Sequence, residues 1–144
     1  MIDHILVQEV IYEEGFRTES YQDTKGYWTI GVGHLLGSDA NLYSGMVWDP
    51  ETVVVKFMQD LNDAMVHASK LIPVFSTLSL VRQRVLVNMM FNLGPSRFGT
   101  FVNMIRAINQ HDYVGAHREM LDSKWAKSDV PSRAARLSHR WING

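Results

Sequence analysis

Apolar residues Ile2, Ile5, Leu6 and Val10 recur at helical spacing, which predicts a short amphipathic helix over residues 2–13 that stops at Gly15. From Thr18 to Leu36 the helical period disappears. Turn residues Asp23, Lys25 and Gly26 separate short segments there, and the run YWTIGVG is dense in strand formers, so a small antiparallel sheet is expected. Gly31 and Gly33 occupy alternate positions of that run, where the backbone is open to close approach by a ligand. A loop is expected from Gly37 to Trp48.

Asp49-Pro50-Glu51 is a strong helix start, with a capping acid, a proline at the first helical position and a second acid in the first turn. Val54, Phe57, Met58, Leu61, Met65, Ala68 and Ile72 carry an apolar stripe up to Pro73. The resulting helix, residues 50–72, is roughly 30 Å long and able to join two lobes. Further helices are expected over 80–93 (ended by Gly94), 101–109, 113–122 and 131–141 (opened by Pro131). Helix, small sheet, long helix and helical bundle in that order describe an α+β chain with segregated halves. Repeats, linkers and low-complexity stretches are absent from the sequence.

A length of 144 residues suits one domain spanning 1–144, with lobes at about 13–60 and 61–144 and the 2–13 helix packing on the C-terminal lobe. Apolar content of 46% and charged content of 20% are ordinary for a globular protein. Without cysteine there is neither a disulfide nor a thiolate metal site, and the six histidines form no HxH or HxxxH pair, so no metal or cofactor is expected. No apolar run reaches the roughly 18 residues of a membrane span, and the acidic start MIDHILVQEVIYEEG does not read as a signal peptide. The net charge of -1 hides a split: residues 1–60 carry ten acidic and three basic side chains, residues 61–144 five acidic and eleven basic. Two readings fit that split, a basic lobe that meets an anionic polymer or opposite charges that attract within one fold. The basic half lacks a recognition-helix pattern, and GVG lacks the context of a phosphate loop, so neither nucleic acid nor nucleotide is an expected partner.

The chemistry concentrates in EEGFRTESYQDTKGYWTIGVGH, residues 13–34. Glu13 and Glu14 fall at the C-terminal end of the first predicted helix, where the macrodipole disfavours anions and favours the protonated carboxyl that a general acid requires. Asp23 falls in a polar turn that suits an ionised carboxylate, and the Thr29 hydroxyl is suited to holding a water beside it. Two carboxylates in unlike settings across a cleft are the acid and base of glycoside hydrolysis. Helix physics does not distinguish Glu13 from Glu14. The alternative is an acidic surface turn, which acid spacing taken alone favours.

Glu14-Gly15, Tyr21-Gln22-Asp23-Thr24 and the strand Gly26-Tyr27-Trp28-Thr29-Ile30-Gly31-Val32-Gly33-His34 closely resemble the phage T4-type lysozymes, the endolysin family of muramidases. The segments FMQDLNDA, VLVNMMFNLG, FVNMIRAI and KWAKSDVPSRAARLSHRW are similar to that family's long helix and C-terminal bundle, so the likeness runs through most of the chain. It implies a lysozyme-like α+β fold, with a small lobe bearing an antiparallel sheet and a helical lobe joined by the long helix.

The resemblance makes Glu14 the general acid, Asp23 the base or charge stabiliser and Thr29 the residue that positions water. It implies inversion at the anomeric carbon, with carboxylates roughly 6.5 to 9.5 Å apart. Arg133 matches an arginine that pairs with the catalytic glutamate. His34 and Asp60 match a buried structural ion pair, and Leu35, Phe91 and Asn92 match positions along the substrate cleft.

The activity so implied is hydrolysis of the β-1,4 bond between N-acetylmuramic acid and N-acetylglucosamine in bacterial peptidoglycan, without cofactor or metal. The biology implied is a monomeric phage endolysin with no stable membrane association. It would accumulate in host cytoplasm and reach the wall with the help of a holin-type membrane protein. The rivals are a lytic transglycosylase, against which Asp23 with Thr29 argues, and a non-catalytic wall-binding module, against which the intact acid, base and threonine argue.

Overall fold

The computed structural model describes residues 2–144, which divide into two compact units, Asp3–Asn62 and Asp63–Gly144 with Ile2. The fold is α+β, mostly helical with one small antiparallel sheet.

In the first unit, α1 (His4–Glu14) starts at Asp3, whose side chain accepts from the Leu6 N–H at 3.0 Å. It stops at Gly15, where φ is 81° and the N–H closes onto the Ile11 carbonyl at 2.8 Å. Leu6 and Val10, one turn apart, are its buried residues. β1 (Arg17–Gln22), β2 (Trp28–Gly31) and β3 (His34–Gly37) form a three-stranded sheet in sequence order, antiparallel throughout. Tyr21 pairs with Thr29 and Thr29 with Leu35. The segment expected as a plain loop contains α2 (Ala40–Tyr43), capped by Asp39. The chain then returns along β1, with the Ser20 N–H donating to the Met46 carbonyl at 2.9 Å and the Trp48 N–H to the Thr18 carbonyl at 2.8 Å.

α3 (Pro50–Leu71) begins as its sequence demands, with Asp49 Oδ1 accepting from the Thr52 N–H at 2.7 Å. Its buried stripe differs from the expected one. Val53, Phe57, Leu61, Ala64 and Ala68 face inward, whereas Val54 and Met58 are exposed. Three consecutive valines (Val53, Val54 and Val55) leave the phase of the stripe undetermined by composition, and the 53-57-61-64-68 spacing sets it.

The second unit contains α4 (Leu80–Gly99), α5 (Val102–Asn109), α6 (Tyr113–Leu121) and α7 (Pro131–Asn143). α4 runs past its expected end because Pro95 restarts helix immediately after Gly94, whose φ of 77° and ψ of 164° break the first segment. Two short turns escaped the periodicity, a 3-10 turn at Phe75–Thr77 and a π-helical turn at Trp125–Asp129. The Arg82 guanidinium lies 3.9 Å over the Tyr113 ring while its Nε donates to the Trp141 carbonyl, and Trp141 Nε1 donates to the Tyr113 carbonyl. The beginnings of α4 and α6 are thereby tied to the end of α7. Among the described residues, no helix is long and apolar enough to cross a membrane.

The Asp49 cap gives a pH test. Hydrogen bonds from Thr52 hold its carboxyl below the ordinary value of 3.8, so its contribution is complete above that value in the unfolded chain and disappears as pH falls below it. Asp49→Asn keeps a capping oxygen that does not titrate. Thermal melts between about pH 6 and about pH 3 should show a shallower acid loss for the variant than for the parent. Equal slopes would mean that the cap is not coupled to folding.

Candidate active site

Glu14 is the last residue of α1, and that last turn carries no basic residue. What it meets is the turn between β2 and β3. A Cβ built on Gly33 would lie 3.0 Å from Glu14 Cδ and 3.2 Å from Cγ and Oε1. The glutamate side chain thus lies along bare backbone, at a residue whose φ of 62° also favours glycine. The other glycine of the pair, Gly31, faces Val53 and Trp48. The close approach expected at these glycines is therefore made by the protein's own side chains.

Asp23 sits just beyond β1 and organises the turn to β2. Its Oδ1 accepts from the Lys25 and Tyr27 N–H groups, each at 2.9 Å. Its own N–H donates to the Tyr27 carbonyl at 2.8 Å, and its carbonyl accepts from Gly26 at 3.0 Å. This Asx-type arrangement uses one carboxylate oxygen for structure. Thr29, in the middle of β2, is buried, and its Oγ1 has a long contact of 3.4 Å to the Tyr27 carbonyl.

Cross-strand pairing puts Tyr21, Thr29 and Leu35 in one row on one face of the sheet. Leu35, at the end of that row, is exposed. Burial pushes the Tyr21 phenol up, the Glu14 charge adds to this, the Arg17 guanidinium opposes it and the Asp23 charge adds again. Tyr21 is thus electrostatically in touch with both candidate carboxylates. His34, which follows Gly33, brings Nδ1 to 2.6 Å from Asp60 Oδ2 on α3, and its ring packs at 5.3 Å from that of Trp48. The His34–Asp60 pair is less buried than expected, since each side chain keeps 29% exposure.

Phe91, Asn92 and Arg133 belong to the second unit. Phe91 and Asn92 are half-buried neighbours on α4, and Asn92 Oδ1 accepts from Trp125 Nε1 at 2.8 Å. Arg133, in the first turn of α7, is buried, and its Nε and Nη2 both donate to Asn88 Oδ1, at 3.0 and 2.8 Å.

The family model for phage lysozymes matches residues 12–140, a span that contains every one of these residues. The chain belongs to the phage lysozyme family. It is 26% identical over 148 residues to probable T4-type lysozyme 1 of Dictyostelium discoideum, a match covering 88% of this chain and 86% of that one. It is 33% identical over 118 residues to the endolysin of Salmonella phage P22, covering 81% and 79%. Against the pre-baseplate central spike protein Gp5 of Enterobacteria phage T4 it is 28% identical over 153 residues, which is 92% of this chain but 26% of that protein. The chain is accordingly a lysozyme-type enzyme, a muramidase acting on peptidoglycan.

Sequence reasoning did not single out Tyr21, Asn88 or Trp125 for this site, and it gave Gly33 a different neighbour. Tyr21 carried a usable signal: it stands two residues before Asp23, within the same short motif. Asn88 and Trp125 gave none, because their partners lie 45 and 33 residues away in the chain.

Gly33→Ala tests the fit between the lysozyme's helix end and its sheet. A methyl group at this position obliges Glu14 to give way by a few tenths of an ångström and imposes a left-handed backbone on alanine, a cost of about 1–2 kcal/mol. Thermal melts should show a loss of about that size, and wall lysis should fall as Glu14 is moved. Parental lysis by the purified variant would show that the Glu14 position is not critical.

Proposed function

We propose that this enzyme hydrolyses the β-1,4 bond between N-acetylmuramic acid and N-acetylglucosamine with inversion, using Glu14 as general acid and Asp23 as general base. Thr29 orients the attacking water. The observation that carries this reading is the pair of unlike carboxylate settings within one unit. Glu14 lies at the negative end of a helix against bare backbone, and Asp23 is locked into a hairpin turn. With Oδ1 committed to the Lys25 and Tyr27 amides, Oδ2 is the oxygen that takes the proton of water.

Water attacks the anomeric carbon from the face opposite the leaving oxygen while Glu14 protonates that oxygen. Glu14 thereby becomes a carboxylate and Asp23 a carboxylic acid, and proton exchange with solvent resets both. Leu35, Phe91 and Asn92 are assigned to glycan binding and Arg133 to an orienting role. In this reading the enzyme is a phage endolysin. It accumulates as a monomer in host cytoplasm and degrades the wall once a holin-type protein opens the membrane. The basic second half, with eleven basic and five acidic side chains, attracts the anionic wall.

Glu14→Gln keeps the shape of the acid and removes its proton. Lysis of permeabilised cells should fall by about two to four orders of magnitude while folding stability stays within about 1 kcal/mol of the parent. Asp23→Ala should also lose most lysis, and Thr29→Ala should lose less. Retained lysis in Glu14→Gln would transfer attention to Glu13 and leave Glu14 a structural anchor.

A further inference from the structure

Tyr21 is a polar group that the mechanism above does not use. It is half-buried at the first position of the row Tyr21, Thr29, Leu35, and neighbouring side chains in such a row have Cβ atoms about 5 Å apart. Asp23 follows one residue after the end of β1, and its charge acts on the Tyr21 phenol. The Tyr21 ring does not swing freely, because the Arg17 guanidinium lies 4.5 Å from its centroid, a cation–π contact. The phenol feels the charges of Glu14 and Asp23 together, and both charges and burial keep its proton on. A neutral O–H donor is therefore held beside Thr29 within the combined field of two carboxylates.

We infer that Tyr21 is a positioning residue of the hydrolytic site: its O–H acts through Asp23 and Thr29 to fix the hydrogen-bond geometry in which water attacks. This rests on the roles proposed above for those two residues. The Thr29 hydroxyl alone leaves a water free to rotate about one contact. A second donor on the same face, fixed by its clamped ring, removes that freedom at no charge cost, because a neutral phenol adds no third negative group. Arg17 serves the same end by holding the ring, and its guanidinium lowers the phenol value only as far as Glu14, Asp23 and burial allow.

The test is steady-state kinetics of Tyr21→Phe on soluble glycan chains prepared from peptidoglycan, with the folded fraction measured by circular dichroism at the assay temperature. Phenylalanine keeps the ring and its contact with Arg17 and loses only the O–H. The expected result is a kcat per folded molecule lower by about tenfold, the rate equivalent of one ordinary hydrogen bond, with KM within about twofold of the parent. Incorporation of 3-fluorotyrosine at position 21, which restores the O–H, should recover most of the loss. A parental kcat in Tyr21→Phe, or a change confined to KM, would overturn the inference, the latter making the O–H a sugar contact. Glu14→Gln and Asp23→Ala assayed alongside separate the two levels. If both are inactive while Tyr21→Phe is parental, only the Tyr21 role fails. If either retains hydrolysis, the site reading fails and the Tyr21 role with it.

Discussion

The first unit depends on a helix that ends in a carboxylate meeting a strand turn that has no side chain. Glu14 occupies the last position of α1, where peptide dipoles oppose its charge, and its Cδ and Cγ lie 3.0 and 3.2 Å from where a Gly33 Cβ would be. Gly33 is in turn held between Gly31, packed on Trp48 and Val53, and His34, hydrogen-bonded to Asp60. Helix end, sheet turn and α3 are therefore positioned together. Any residue larger than glycine at position 33 would press on the Glu14 side chain.

The same sheet gives the two carboxylates their different surroundings. Glu14 arrives from a helix end and has side-chain freedom limited by backbone contact. Asp23 is part of a hairpin and has one oxygen fixed by two amides. On the sheet beside Asp23, the cross-strand row carries a phenol, a hydroxyl and an exposed leucine in sequence. A strand pairing slipped by one residue would send Thr29 to the opposite face, so the site inherits its geometry from sheet register.

Much of this organisation was legible because it is local. The Asp49-Pro50-Glu51 start of α3, the glycine that stops α1 and the strand run around Thr29 each declare themselves within a few residues. Glu14, Asp23 and Thr29 all fall within 16 residues of chain, and an ordered motif there pointed to the family before any geometry was known. What could not be read depends on choices that composition leaves open or on distant partners. Three successive valines conceal which one faces inward, and Pro95 hides the continuation of α4 because it reads equally as a stop. The π turn at Trp125–Asp129 has no periodicity to detect, although Trp125 reaches across to Asn92. Arg133 stood out in the sequence only through its match to a glutamate-pairing arginine, and its partner Asn88 lies 45 residues away. Its burial against Asn88 shows that part of that positive charge serves packing rather than solvent.

The central claim is that water, activated on the Asp23 side of the sheet, attacks the sugar directly. Digesting purified peptidoglycan in H₂¹⁸O and examining the products by mass spectrometry tests it without any substitution. The account predicts N-acetylmuramic acid reducing ends carrying one ¹⁸O from the moment of cleavage. Products ending in 1,6-anhydromuramic acid without label would contradict it, because the muramic acid's own hydroxyl would then have taken the place of water.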